Sequence, residues 1–467
     1  MEFSKELNIS TCDIPGLLIV DLPVFGDNRG WFKENWQREK MLELGLPDFG
    51  PVQNNISFNT TRGTTRGIHA EPWDKYISVA TGSIFGAWVD LRDGESFGKT
   101  FTTTLDPSKA IFVPRGVGNS FQTLEDNTAY VYLVNDHWRV DTQDQYTFLN
   151  LADDTVNINW PIALEDCELS EKDKNHPTLK DVKPMSEKKT VVLGAGGQLA
   201  NALKEVFPDA EFMSRSQVDL SDAQSLASVN WKQYNTIINA AAYTAVDLAE
   251  TSEGRTDCWA ANATGVASLA DIANEYDLTL VHISSDYVFD GTQKVHTEDE
   301  PLSPLGVYGQ SKAAGDLAAA RAKKHYILRT SWVIGQGKNF IATMAALAEK
   351  GVDPAVVNDQ IGRLSFTEDI AAAIKHLLEN HAAYGIYNIS NEGEPVSWAD
   401  VAAEVYTGLG HDNTRVSGIS TEEYFKDKSG IAPRPTHSTL DLSKIKATGF
   451  TPRSQQEALQ EYLTTLK

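Results

Sequence analysis

Up to about residue 165, apolar and polar positions alternate in short runs broken by Gly, Asn and Asp. "KYISVATGSIFGAWVDLR" (75–92) predicts two strands joined at Thr81-Gly82, and "AIFVPRGVGNSFQTL" and "NTAYVYLV" continue the pattern. Short strands at regular spacing, with turn residues between them, predict a β-sandwich or barrel. The pattern then breaks. Residues 170–189, "SEKDKNHPTLKDVKPMSEKK", hold ten charged side chains, two prolines and almost nothing apolar, which predicts a linker or a surface tail. Beyond it the period changes. "TVVLGAGG" reads as a buried strand running into glycines, and "QLANALKEVF" sets Leu199, Ala202, Leu203, Val206 and Phe207 on one helical face. Strand and helix patterns alternate from there through "TIINAAA", "GVASLADIANEY", "TLVHISS", "HYILRTS" and "DIAAAIKHLLENH". This predicts βαβ units and a parallel sheet covered by helices. No internal repeat is visible.

A chain of 467 residues accommodates more than one domain. At 41% hydrophobic and 22% charged, it has the composition of a globular protein. The formal net charge of −23 argues against nucleic acid or an anionic membrane as a partner, because phosphate neutralisation needs a basic face. A small anionic substrate stays compatible, since a few local arginines suffice. Cys12, Cys167 and Cys258 are far apart without metal-ligand spacing and read as buried or incidental thiols. The first residues lack a charged stretch followed by an apolar run, and no segment reaches the roughly 18 apolar residues of a membrane span. The expectation is a cytoplasmic protein with no membrane partner.

The candidate chemistry of the second half begins at "VVLGAGGQLANAL", where Gly194, Gly197 and Ala200 fall as G-x-x-G-x-x-A between strand and helix. Small residues let the backbone approach a pyrophosphate, and the helix start offers it N–H groups. Gly194, Gly196, Gly197, Gln198 and Leu199 are therefore candidate cofactor contacts. The next strand ends "FMSRSQVDL". An acidic tip would hold a ribose 2′-hydroxyl and favour NAD. Ser214, Arg215 and Ser216 stand there instead and suit a 2′-phosphate, so NADPH is expected ahead of NADH, with Arg215 and Asp219 near the ribose. "TLVHISSDYVFDG" ends a buried strand on hydroxyls and a carboxylate, and in an open parallel sheet that end faces the ligand crevice. Downstream, "VYGQSK" places Tyr308 and Lys312 four apart on one helix face. A phenol with a reference pKa of about 10 needs a neighbouring ammonium and a cationic cofactor ring to work near neutrality. Ser285 would polarise the substrate carbonyl beside it.

With "NAAAYTAVDLAE", "LRTSWV", "NDQIGR" and "RPTHSTLD", these motifs resemble the extended short-chain dehydrogenases, and among them the dTDP-4-dehydrorhamnose reductase family, nearly end to end over 189–467. The resemblance implies a doubly wound Rossmann-type sheet with a smaller substrate-binding subdomain. It also implies a Ser285–Tyr308–Lys312 triad and hydride delivery to a C4 ketone of a deoxysugar nucleotide. Asn239, Ala240, Ala241 and Tyr243 would run along the cofactor, Asp286, Tyr287 and Trp332 would line the sugar site, and Arg434 would meet the substrate end. Ser285 stands where the family usually has Thr, and "RLS" replaces a small-Pro-Thr stretch after "DQIG". A magnesium requirement is left open.

In the first half, an arginine with period-two neighbours reads by itself as a solvated strand face, and His69 as a structural histidine. The combination "FGDNRGWFKENW", "RGIH", "WVDLR", "FGKT", "FVPRG", "YLVN" and "INWP" resembles the dTDP-4-dehydrorhamnose 3,5-epimerase family. The charged "LSEKDKNHPTLKD" matches that family's end as well, which moves the junction to about 183–188 and gives units of 1–185 and 186–467. The resemblance implies a cupin-like jelly roll, and its chemistry can be matched to physical need. Epimerisation beside a ketone needs a base, an opposing acid and a cation for the enolate oxygen. His69 would be the base, Asp153 the carboxylate fixing its tautomer, Tyr132 the acid and Lys75 the cation. Arg29, Glu34, Gln53 and Arg66 would bind the nucleotide diphosphate and base. Asn119 stands where the family usually has His, and Trp138 replaces a second Tyr. The joint expectation is a homodimer, paired through the first half, that epimerises a dTDP-4-keto-6-deoxysugar and then reduces it. The alternative is a reductase whose jelly roll only binds nucleotide sugar or dimerises.

Overall fold

The structure is a computed structural model and describes residues 2–138 and 145–466. The chain divides into two compact units, Met1–Glu187 and Lys188–Lys467.

The first unit is built from two antiparallel sheets. One has six strands in the order Asn8–Thr11, Leu18–Asp21, Lys109–Val113, Lys75–Thr81, Thr128–Val134 and Gln53–Asn59. The other has five: Thr147–Phe148, Thr65–Ala70, Val117–Thr123, Ile84–Asp90 and Thr100–Leu105. The predicted turn between Lys75–Thr81 and Ile84–Asp90 is present, and Gly82 occupies it at φ +77°, a left-handed conformation that favours glycine. The two strands enter different sheets, so the turn is a corner and not a hairpin. Ile77, Val79, Trp88, Ile111, Phe121 and Tyr130 form one buried cluster. Phe121 and Tyr130 stack at 4.3 Å and also line the unit's cavity, so that pair is the boundary between apolar core and polar pocket.

Most of the predicted linker at 170–189, up to Glu187, belongs to this unit, and Lys189 already opens the first strand of the second. The linker forms the short helix Glu171–Lys174 and the turn Leu179–Asp181, and its few apolar residues anchor it. Val182 and Met185 are buried in a cluster with Ile68, Val89 and Leu91. The charge density that predicted a solvated tail decorates a segment held by those side chains.

The second unit carries a six-stranded sheet, parallel throughout, in the order Glu211–Met213, Lys189–Leu193, Tyr234–Asn239, Thr279–Ser285, His325–Thr330 and Gly385–Ile389. Its strands read as unbroken apolar runs because both faces are covered. Val191, Ile237, Leu280 and Ile327 pack on one side, and Val192, Ile238, Val281 and Leu328 on the other. The helix predicted from "QLANALKEVF" runs Gln198–Val206 with Leu199, Ala202 and Leu203 buried. Strand order reverses on either side of Lys189–Leu193, and the crevice at such a reversal is where ligands bind in open sheets of this kind. A third cluster, including Ile334, Met344, Phe366, Val401 and Leu459, joins the segments that follow the fifth strand.

Candidate active sites

The first unit holds a cavity of about 1000 Å³ whose wall includes Arg66, His69, Lys75, Asn119, Tyr132 and Asp173. His69 projects from Thr65–Ala70, and its Nε2 lies 2.9 Å from Asp173 Oδ1. Asp173 is 6% exposed and sits in the helical turn after Ser170, whose Oγ accepts the Asp173 N–H at 3.1 Å. His176 Nε2 reaches the same carboxylate oxygen at 3.2 Å. Burial alone would raise the Asp173 carboxyl, but the hydrogen bond and charge of His69, with Ser170 and His176, hold it below the ordinary carboxylate value. Burial lowers His176 against the pull of that carboxylate.

The Lys75 ammonium is buried, paired with Glu71 and within 3.2 Å of Asn119 Oδ1. It lies 5.1 Å from the centre of the Tyr132 ring. Glu71 also accepts the Trp73 indole N–H at 2.8 Å. Burial, aided by the charge of Glu71, raises the Tyr132 phenol above its ordinary value. His69, Lys75, Tyr132, Asn119 and Arg66 are thus brought together.

Asp153 is not among them, and the expectation that it supports His69 is corrected. Its Oδ1 accepts the Thr155 N–H at 2.8 Å and the Thr155 hydroxyl, while Oδ2 accepts the Leu179 N–H. An aspartate two residues before a threonine closes a local turn with its own side chain, and that use consumes the carboxylate. Asp173 supplies the group Asp153 was expected to supply.

Arg29, Glu34 and Gln53 also lie off the cavity wall. Arg29 pairs with Asp27 at the tip of the exposed hairpin Val24–Asp27/Gly30–Lys33. Glu34 pairs with Lys40 at 2.6 Å, and the Gln53 amide donates to Asn55 at 2.8 Å. Trp138 is 51% exposed, and its backbone N–H donates to Gln53 Oε1. Glu71, Tyr146, Asp173 and His176 line the cavity without having been singled out from sequence.

The second unit holds a cavity of about 750 Å³ at the carboxyl ends of the strands. Gly196, Gly197, Gln198, Leu199, Ala240 and Ala241 line its cofactor side. Gly194, at φ +92°, lets the loop pass the end of the neighbouring strand Tyr234–Asn239, where a Cβ would come within 2.8 Å of the Ala241 nitrogen. Asn239 and Tyr243 do not line this wall. Asn239 is fully buried, donating to His282 Nδ1 at 3.2 Å and accepting the Ala241 N–H, so it shapes the loop from beneath. The Tyr243 N–H is tied to Asn262 at 2.8 Å. Arg215 and Asp219 lie beyond the wall at the tip of Glu211–Met213, paired with each other at 3.0 Å.

The catalytic candidates converge. Ser285 ends its strand, donating to Asp286 Oδ1 at 3.0 Å and accepting the Tyr287 N–H at 3.2 Å. Tyr308 and Lys312 rise from Val307–Ala319, and Tyr308 meets the Tyr287 ring edge-on at 5.4 Å. A buried ion pair, Asp316 to Arg329 at 2.9 Å, fastens that helix to the sheet. Removing one partner of such a pair costs about 3–5 kcal/mol, because the other charge is left buried alone. The expected depression of the Tyr308 pKa by Lys312 is not what the protein groups produce. Lys312 donates to the Ile283 carbonyl at 2.6 Å, and burial pushes it down to about 8. Burial, with the charge of Asp286, pushes Tyr308 well up, and the Ser285 hydrogen bond offsets only part of this. Burial also raises Asp286 to about 6.

Trp332, Asp286, Tyr287 and Arg434 line the remaining wall. Trp332 holds φ +45° and stacks on Trp398 at 3.7 Å. Arg434 makes a two-pronged contact with Asp247, 3.0 Å to each oxygen. Trp398 and Gln360 complete the wall and were not singled out from sequence.

An imidazole on a carboxylate, facing a phenol and an ammonium, is equipment for moving protons at carbon. A serine, tyrosine and lysine gathered at the end of a parallel strand are the equipment of a short-chain dehydrogenase. The chain belongs over residues 188–467 to the family described as the RmlD substrate binding domain, and over 11–181 to the dTDP-4-dehydrorhamnose 3,5-epimerase family. An RmlC homolog of Streptococcus pyogenes is 56% identical over 181 residues, covering 38% of this chain and 91% of that protein. The dTDP-4-dehydrorhamnose reductase of Aggregatibacter actinomycetemcomitans is 36% identical over 292 residues, covering 58% and 96%. The crystal structure of dTDP-4-dehydrorhamnose reductase from Bacillus anthracis in complex with NADP matches at 29% identity and a TM-score of 0.55, over 60% of this chain and all (100%) of that one. An epimerase domain and a reductase domain are present in one polypeptide. No helix among the described residues is long and apolar enough to cross a membrane.

Proposed function

We propose that the chain converts dTDP-4-dehydro-6-deoxy-D-glucose to dTDP-L-rhamnose in two consecutive steps, epimerisation at C3 and C5 followed by reduction at C4. The observation that carries the first step is the His69–Asp173 pair, 2.9 Å apart on the wall of a cavity that also presents Lys75 and Tyr132. His69 takes the proton beside the ketone, and Asp173 steadies the imidazolium that results. Lys75, pinned by Glu71, meets the charge that develops on the C4 oxygen. Tyr132 returns a proton on the opposite face, and its raised pKa keeps it protonated, as a donor must be. Arg66 takes the diphosphate.

The unit is a jelly roll acting as a cytoplasmic homodimer. Phe25, Phe32, Ile56 and Phe58 are each more than half exposed on the hairpin and the edge strand, and a second copy would cover them. Arg29, Glu34 and Gln53 lie in those same segments, and in the dimer they serve the neighbouring protomer's substrate.

The second unit is a Rossmann-type fold with a smaller substrate-binding part, and it fits NADPH. The glycine approach at Gly194, the small residues at Gly196 and Gly197 opening Gln198–Val206, and the Arg215 and serine cluster suit a pyrophosphate and a 2′-phosphate. Bound there, the reduced nicotinamide supplies the hydride for C4. Ser285 holds the carbonyl oxygen, and Tyr308 protonates it. Lys312, at about 8, exchanges a proton readily near neutrality as the phenol is restored. Trp332, braced by Trp398, forms the wall against the sugar, and Arg434, aimed by Asp247, takes the diphosphate.

The test mixes purified chain, the 4-keto substrate and NADPH, and follows nicotinamide absorbance. Oxidation without an added epimerase is expected. If oxidation requires a separate epimerase, the two-step reading fails.

A further inference from the structure

His69, Asp173 and His176 present the donor set of a transition-metal site. Their ligand atoms lie within 4.8 Å of one another. The shared carboxylate oxygen is 2.9 Å from one imidazole nitrogen and 3.2 Å from the other. Packing limits both rings. His176 stacks on Phe148 at 4.7 Å and 14°, and His69 meets the same ring edge-on at 5.5 Å. A tetrahedral ion with bonds of about 2.0–2.1 Å keeps its ligand atoms roughly 3.3 Å apart. The two separations to the Asp173 oxygen are already close to that, so only the imidazole–imidazole spacing has to close. Two imidazoles and a carboxylate select zinc, cobalt, nickel or copper over magnesium or calcium.

We propose that this trio binds a divalent transition-metal ion, with the fourth position taken by water from the cavity, and that occupation stops epimerisation. The inhibitory half rests on His69 being the base. A neutral imidazole has one N–H and one lone pair. With Nε2–H donating to Asp173, the lone pair sits on Nδ1, which has no hydrogen-bond partner among the described residues. A metal on Nε2 takes a lone pair there and moves the ring's single N–H to Nδ1. His69 then has nothing with which to accept the substrate's proton. Asp173, engaged by the metal, no longer steadies an imidazolium.

The test uses the full chain, freed of metal with a chelator and titrated with Co²⁺ while visible ligand-field absorption is read. Wild type is expected to give the bands of four-coordinate cobalt with a break at one equivalent. His176→Gln should weaken binding by about tenfold or more. His69→Gln, scored by spectrum alone, is the second variant should the first not fold. In parallel, Zn²⁺ should suppress NADPH-independent solvent deuterium uptake at C3 and C5, while reduction of prepared 4-keto-L-sugar continues. Absence of the cobalt bands, equal affinity in the variant, or deuterium uptake that persists with metal bound would overturn the proposal. The spectrum needs no turnover. A protein that binds cobalt but never exchanges deuterium would therefore count against the epimerase reading and not against the metal site.

Discussion

The two cavities handle protons with different materials, assembled over different distances along the chain. In the first unit, a half-exposed imidazole leans on a buried carboxylate 104 residues away, and hydrogen bonds hold that carboxylate ionised. In the second, Ser285, Tyr308 and Lys312 sit within one strand–helix passage, and burial dominates. It drives Tyr308 up, Lys312 down to about 8 and Asp286 up to about 6. In the first centre burial still raises Tyr132 and lowers His176, but at Asp173 the hydrogen bonds and charge of its neighbours outweigh it. The second is a desolvated set of groups held away from their charged forms, and a cationic ring beside the phenol is what the expected lowering of Tyr308 requires.

The comparison breaks most sharply if the centres are not independent. His69→Asn should lower NADPH-free deuterium uptake by roughly 10²–10⁴-fold, and Tyr308→Phe should lower C4 reduction by a similar factor. Each variant should spare the other step when that step is given its own substrate. A shared loss would mean one site and not two. Asp173→Asn should cost the epimerase about 10²-fold or more, while Asp153→Asn leaves turnover within a few-fold. The reverse ranking would restore Asp153 as the supporting carboxylate.

Burial of Asp286 makes a pH prediction. Its pKa is raised above the ordinary carboxylate value to about 6, so the folded unit favours the protonated form. Stability from this group is full below about pH 4 and is lost as pH rises through about 6, by roughly 3 kcal/mol in all. Asp286→Asn should flatten that part of the thermal unfolding profile of the second unit between about pH 4 and 6. An unchanged slope would show that the carboxylate is better solvated than its surroundings indicate. The smallest effect is expected at Arg215, where Arg215→Ala should raise the KM for NADPH about tenfold, with that for NADH unchanged. Equal effects on both would remove the 2′-phosphate assignment.

Legibility from sequence followed the same divide. The parallel sheet, the Gln198–Val206 helix and the Ser285–Tyr308–Lys312 grouping could be read because apolar period and motif spacing are local signals. The pocket of the first unit could be read only in part. His69 and Lys75 sit in recognisable strand patterns, but Asp173 lies in a stretch whose charge density looked like solvent-facing tail. The signal present there was small: an Asp three residues before a His, after a serine able to cap a helical turn. Asp153 was the more conspicuous aspartate, in a turn-rich segment, and its turn is what occupies it. Arg29, Glu34 and Gln53 carry family motifs, yet they decorate an exposed hairpin and an edge strand. Composition could not distinguish a motif residue that serves its own cavity from one that does not. Trp398 gave no local signal, because only the fold brings it against Trp332.

Residues 170–187 complete the first unit after every strand of its two sheets has been made. During synthesis, the strands of both sheets are therefore made before the carboxylate that pairs with His69. A stop codon at about 169 would remove the partner of the His69 imidazole and, with Val182 and Met185, part of the buried cluster around Ile68, Val89 and Leu91, whereas a cut between Glu187 and Lys188 keeps both.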